Sequence, residues 1–166
     1  NAMQIPIVSV AAWSGTGKTT YLEKLIPEFK RRGLRVAALK HDAHDFDIDR
    51  EGKDSWRMTQ AGADVTIIAS KKKTVVMENR SVAIEKVLET VHDVDLIVTE
   101  GFKFGAWPKL VLFRAAVGKP LLDTAENCVA IVTDDAVKTD KLVLPFADVK
   151  HAADLLLLAV GLGKFV

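Results

Sequence analysis

The chain has 166 residues, 49% hydrophobic and 27% charged, with a formal net charge of +1 and one cysteine. That length and composition suit one soluble globular domain, expected over residues 3–166, and the charge gives no reason to expect nucleic acid as a partner. Cys128 cannot form an internal disulfide, so a reduced, cytoplasmic setting is the default, and the most apolar segment, Leu155 to Leu162, is much too short to cross a membrane. Asn1 and Ala2 precede Met3 and read as the remnant of an expression tag; no basic stretch leading into a continuous apolar run marks an export signal.

Taken in chain order, Ile5 to Ala11 is an apolar run with the look of a buried strand. Thr19 to Arg32 has helical spacing, with Leu22, Leu25, Ile26 and Phe29 on one face and Gly33 as its stop. Arg35 to Lys40 predicts a second strand. Asp54 to Ala61 predicts a short helix that Asp54 can cap and Gly62 can end. Val65 to Ala69 and Thr74 to Glu78 are short apolar strands joined across Ser70 to Lys73, a hairpin pattern in which the three lysines fit a solvated turn. Ser81 to Val91 predicts another helix, and Leu96 to Thr99, Leu110 to Phe113 and Val129 to Val132 predict three further strands. Asp148 can cap a last helix running through Val160. Strands alternating with helices predict an α/β fold: a mostly parallel sheet covered on both faces, of the P-loop NTPase type, with a short hairpin added.

Ser14-Gly15-Thr16-Gly17-Lys18-Thr19-Thr20 lies between the first strand and the first helix. Strand, glycine turn, Lys-Thr and helix in that order make a phosphate-binding loop. Glycines let successive N–H groups converge on phosphate oxygens, and the helix directs its positive end at them. Lys18 would bridge the β- and γ-phosphates, and the Thr19 hydroxyl would be a ligand for Mg²⁺. The full pattern has glycine where this chain has Ala12, which fits only if φ there is negative. Glu100 ends an apolar strand; in a parallel sheet it would share the edge with Lys18 and Thr19, able to hold a magnesium-bound water or to orient an attacking one, or be a surface acid.

The segment Lys40 to Asp49 is dense in His and Asp. It fits a switch-like loop whose acids, Asp49 among them, reach Mg²⁺ through water, a solvated acidic loop, or a separate metal site at His41 and His44. Lys53 stands at a helix start and suits either an anion or an ordinary cap. Lys103, Lys109 and Arg114 follow Glu100 and can meet phosphates, Arg114 equally an ion-pair partner. Asp134 follows a strand and can accept from N1 and the exocyclic amine of guanine, or cap a turn. Trp13, Trp56 and Trp107 all fall in or beside loops; Trp13 can meet a partner or cover the core.

Several of these segments occur together in one family. Ala11 to Thr20, Lys24-Leu25-Ile26-Pro27, Lys40-His41, Phe46-Asp47-Ile48-Asp49, Gly52-Lys53-Asp54-Ser55, Ala61-Gly62-Ala63 and Glu100-Gly101-Phe102-Lys103 resemble the MobB family of adapter proteins of molybdopterin-guanine dinucleotide biosynthesis. The family's histidine stretch commonly reads His-x-His-His, and this chain has Ala43 at the middle position. The resemblance implies a GTP-binding protein with weak GTPase activity, acting as a homodimer. It implies a MobA-type guanylyltransferase as partner and the later delivery of a molybdopterin cofactor. It also implies that Gly15 to Thr20 hold phosphates and Mg²⁺, with Glu100 as the acidic strand-end residue. A small-molecule kinase using the same loop, with Arg50 and Arg57 flanking a lid, is the alternative; an interaction module with a purely structural nucleotide is a third.

Overall fold

Apolar runs separated by segments of helical spacing produce eight strands and four α-helices among the described residues of the computed structural model, which are 4–41, 46–103 and 105–166. In chain order these are β1 (Ile7–Ala11), α1 (Lys18–Arg31), β2 (Val36–Lys40), α2 (Asp54–Gln60), β3 (Val65–Ala69), β4 (Thr74–Glu78), α3 (Ile84–Glu89), β5 (Leu96–Glu100), β6 (Lys109–Leu112), β7 (Cys128–Val132), β8 (Val143–Leu144) and α4 (Val149–Ala159). The described residues fall into two units, one drawn from 1–42 with 93–166 and the other from 43–92.

The first unit is built on a six-stranded sheet of order β2-β5-β1-β6-β7-β8, with every pairing parallel. Alternation along the strands explains why both faces are dry. Val8, Val10, Leu96, Val98, Leu110, Leu112, Ala130 and Val132 join one core cluster with Leu22, Leu25 and Phe29 of α1 and Ala152, Ala153, Leu156 and Leu157 of α4. The intervening residues Ser9, Ile97, Thr99, Val111 and Ile131 face the other way and are also buried, with Ser9 and Thr99 sharing a hydroxyl hydrogen bond. Arg32 ties the two long helices together: it meets Asp154 at 2.6 Å and Glu28 at 3.6 Å. Gly33, at φ 89°, ends α1, and the Leu34 N–H returns to the Phe29 carbonyl. The Asp148 side chain caps α4 by accepting from the His151 N–H.

This sheet fixes where a ligand can bind. β1 lies between β5 and β6, and the chain leaving β1 passes to β2, on the far side of β5. Such a reversal opens a crevice at the carboxyl ends of the strands. Val10 pairs with Glu100 and Leu110, and Lys40 pairs with Glu100, so these strand ends are level.

The second unit holds α2, the antiparallel pair β3–β4 and α3. The hairpin has the predicted bounds. Thr66 is buried and shares a hydrogen bond with Thr59 at 2.7 Å, while Asn79 donates to the Ala63 carbonyl and to Thr66. Two expectations are corrected. α3 is shorter than Ser81 to Val91, because Ala83 precedes it with extended backbone and the chain leaves helix at Thr90. Asp54 does not cap α2: Lys53 is the N-cap residue, without a side-chain hydrogen bond, and Asp54 sits in the first turn. β8 is a further departure, a two-residue strand where none was expected.

Candidate functional site

The phosphate loop forms between β1 and α1. Ala12 is fully buried in the core cluster and is absent from the non-glycine residues with positive φ, so its methyl fits where the motif has glycine. Gly15 and Gly17 adopt φ of 84° and 100°, the left-handed region in which a side chain is strained. Thr16 is buried, and both its N–H and its hydroxyl turn to the Trp13 carbonyl, at 3.3 and 2.7 Å. Its side chain therefore shapes the loop.

The helix that follows is open to an anion. Gly17 precedes α1 in left-handed conformation, no side chain caps the helix, and no acid lies in its first turn. The first-turn N–H groups and helix dipole there favour negative charge. Lys18 folds back over the loop, donating from Nζ to the Ala12 carbonyl at 3.3 Å. Ser14, Thr19 and Thr20 are exposed. Beneath the helix the Tyr21 hydroxyl is buried without a hydrogen-bond partner, and burial, followed by the charge of Asp148, raises its pKa.

Glu100 is half-buried at the end of β5. Its backbone is locked to β2, since its carbonyl accepts from the His41 N–H at 3.1 Å. The next residue, Gly101, has φ 104°, and a Cβ there would meet the His41 carbonyl oxygen at 3.2 Å. Phe102 then holds φ 54°, unusual for a bulky residue, with its ring stacked near His41 at 4.6 Å and edge-on to Trp107 at 4.9 Å. His41 thus belongs to the strand-end packing beside Glu100, while His44 lies outside the described residues. Among the described residues no three His, Cys, Asp or Glu side chains converge to hold a metal ion. The donors present, a Thr19 hydroxyl and a Glu100 carboxylate, suit an oxygen-seeking ion that keeps its waters and shares phosphate ligands.

Other expected residues take varied places. Asp49, in the second unit, accepts through Oδ1 from the Arg50 N–H and the Ser55 hydroxyl, and its Oδ2 is buried without a partner. Lys53, in the same unit, is exposed. Asp134 accepts through Oδ1 from the Phe146 N–H at 3.1 Å, a contact between distant segments and not a local turn cap. Trp13 is held by its own chain, donating to the Pro120 carbonyl at 2.9 Å with Lys103 over its ring. Lys109 is corrected: it is fully buried and its Nζ donates to the carbonyls of Gly105, Trp107 and Glu126, so it is not available to phosphate. Burial draws its pKa below the ordinary lysine range. Arg114, left between phosphate ligand and ion-pair member, donates from Nε to the Thr16 carbonyl at 2.9 Å. Its guanidinium lies over the Phe146 ring at 4.0 Å.

Residues 7–134 match the family model described as molybdopterin guanine dinucleotide synthesis protein B, MobB. The chain belongs to that family. It is 40% identical over 158 residues to the molybdopterin-guanine dinucleotide biosynthesis adapter protein of Escherichia coli strain K12, covering 90% of each chain. It is 36% identical over 157 residues to the protein of that name from Haemophilus influenzae, covering 92% of this chain and 88% of the relative. Its fold matches the crystal structure of Bacillus subtilis MobB with a TM-score of 0.74 at 26% identity, covering 94% of this chain and 98% of that one. The P-loop-type α/β fold is therefore that of MobB structures. The family match spans the loop, Glu100 and Arg114 and ends at Asp134, so Phe146 and α4 lie beyond it.

Proposed function

We propose that this MobB-family chain is a GTP-binding adapter protein of molybdopterin-guanine dinucleotide biosynthesis, with slow Mg²⁺-dependent GTPase activity. The observation that carries it is the uncapped start of α1 behind two left-handed glycines, a cradle shaped for phosphate. Ser14 to Thr20 hold the polyphosphate, and Lys18 turns from the Ala12 carbonyl to the β- and γ-oxygens. Thr19 and Glu100 hold the Mg²⁺ shell, which supplies charge neutralisation. Glu100 orients the attacking water. In the second unit, taken by itself, Asp49 is the acid we assign to a cation's water shell and Lys53 the cation available to an anion. Asp134 keeps Oδ2 for the guanine edge, since Oδ1 serves Phe146.

The adapter acts in the cytoplasm on a MobA-type guanylyltransferase, with molybdopterin as the cofactor precursor delivered, and works as a homodimer. The hairpin supports the dimer: Ile67 and Val76 face each other across β3–β4 and are 62% and 60% exposed. Among the described residues no helix is long and apolar enough to cross a membrane.

Calorimetric titration with Mg·GTP and Mg·ATP tests the proposal. The wild type should prefer GTP, Lys18→Ala should lose binding while keeping its fold, and Glu100→Gln should bind GTP but hydrolyse it more slowly. Preference for ATP with phosphate passed to a metabolite would replace the adapter with a kinase.

A further inference from the structure

A trans peptide points its C=O and N–H in opposite directions, so whatever holds a loop carbonyl also aims the next N–H. In the phosphate loop that carbonyl is Thr16. It accepts from Arg114 Nε at 2.9 Å. The N–H across the same peptide belongs to Gly17, and it donates to no acceptor among the described residues. The Arg114 fork lies close by: a Cβ built on Gly17 would be 3.9 Å from Nη2.

Two consecutive acids fix residues on either side of Arg114. β6 and β7 end level, with Leu112 beside Val132. Beyond those ends, Asp135 Oδ2 accepts from the Ala115 N–H at 2.8 Å, fixing the residue after Arg114. Asp135 is steadied in turn by its own N–H, which donates to the Thr133 hydroxyl at 3.0 Å. Asp134 Oδ1 accepts from the Phe146 N–H at 3.1 Å, fixing the residue whose ring lies 4.0 Å from the guanidinium carbon. The same ring meets the edge of Tyr21, in the first turns of α1, at 6.1 Å. A guanidinium can stack on a ring and donate in its own plane together, which an ammonium cannot do.

We propose that Arg114 is a positioning residue of the phosphate loop: it locks the Thr16–Gly17 peptide so that the Gly17 N–H faces the bound anion, and Asp134, Asp135 and Phe146 hold Arg114 in place to do so. The inference rests on the nucleotide reading of the loop. It links the β7 end of the sheet, where a base would lie, to the loop that grips phosphate.

The test combines Mg·GTP affinity, thermal unfolding and the backbone amide NMR signal of Gly17. Arg114→Ala should weaken Mg·GTP about tenfold, the affinity equivalent of one charge-assisted hydrogen bond, with the unfolding temperature nearly unchanged. Arg114→Lys should not restore it. Phe146→Ala should weaken binding by a smaller factor, Phe146→Tyr should bind as wild type, and Arg114→Ala/Phe146→Ala should bind no more weakly than Arg114→Ala. The Gly17 amide signal should be single and sharp in the free wild type and broadened or split in free Arg114→Ala. Wild-type affinity in Arg114→Ala, or losses that multiply in the double variant, would overturn the inference. If the wild type fails to bind Mg·GTP, the nucleotide reading fails on its own, and the amide signal of the free protein still decides for or against Arg114: an unchanged signal in the variant rejects it.

Discussion

The sheet unit and the hairpin unit start from the same sequence signal and end with opposite burial. Apolar, β-branched runs define β1, β5, β6 and β7 as they define β3 and β4. In the parallel sheet, residues on both faces are buried, down to the hydroxyls of Ser9 and Thr99. In the hairpin, Ile67 and Val76 stand exposed, and neither α2 nor α3 contributes a buried residue. A strand pattern states which backbone will extend. It does not state what will cover the side chains, because that depends on helices far away in sequence.

The sharpest way to break this contrast is to truncate one large apolar side chain in each unit. Phe29→Ala in α1 should cost about 3–5 kcal/mol, as a full cavity in a packed core does. Ile67→Ala in the hairpin should stay within about 0.5 kcal/mol, as an exposed position does. Thermal and urea unfolding measure both, and comparable losses would erase the distinction. A middle effect is expected at Lys109, buried among carbonyls of Gly105, Trp107 and Glu126. Lys109→Met keeps the volume but strands those acceptors, and should cost about 1–3 kcal/mol in urea unfolding.

The smallest effect belongs to the rim of the sheet unit. Arg35 donates to Asp95 through its side chain and its N–H, which holds the Asp95 carboxyl below the usual carboxylate range, the side-chain bond being the larger cause. A folded pKa below the unfolded one contributes stability at neutral pH and loses it as pH falls through the folded value, below about 4. Asp95→Asn should therefore flatten the acid limb of the stability curve slightly, since exposed pairs contribute little. Urea midpoints at neutral and acid pH would read it; an unchanged acid limb would detach the pair from stability.

The phosphate loop, its helix and the Glu100 strand end were legible because each is local: glycine spacing, apolar periodicity and a terminal acid within a few residues. The hairpin bounds were equally local. Ser81 to Val91 overran because β-branched Val82 and Val91 are apolar at helical spacing yet lie outside α3. Lys109 misled through its charge; the carbonyls that hold it come from the loops before and after its strand, at Gly105, Trp107 and Glu126, and are silent in a sequence. Arg114 was visible as a cation at a strand end, but its acceptor lies 98 residues away, and the loop motif that contains Thr16 does not say which side chain will hold that carbonyl. Asp134 offered a base contact and a turn cap alike, and the acceptor role its Oδ1 takes toward the distant Phe146 N–H is one that no local pattern marks.

The joint between β2 and β5 has a mechanical consequence. The His41 N–H is bonded to the Glu100 carbonyl, and Gly101 leaves 3.2 Å for a methyl beside the His41 carbonyl. A side chain at position 101 would crowd that joint, and glycine leaves it closed. A displacement of the chain at His41 would reach Glu100 through that hydrogen bond and the β2–β5 ladder, as through a pinned linkage.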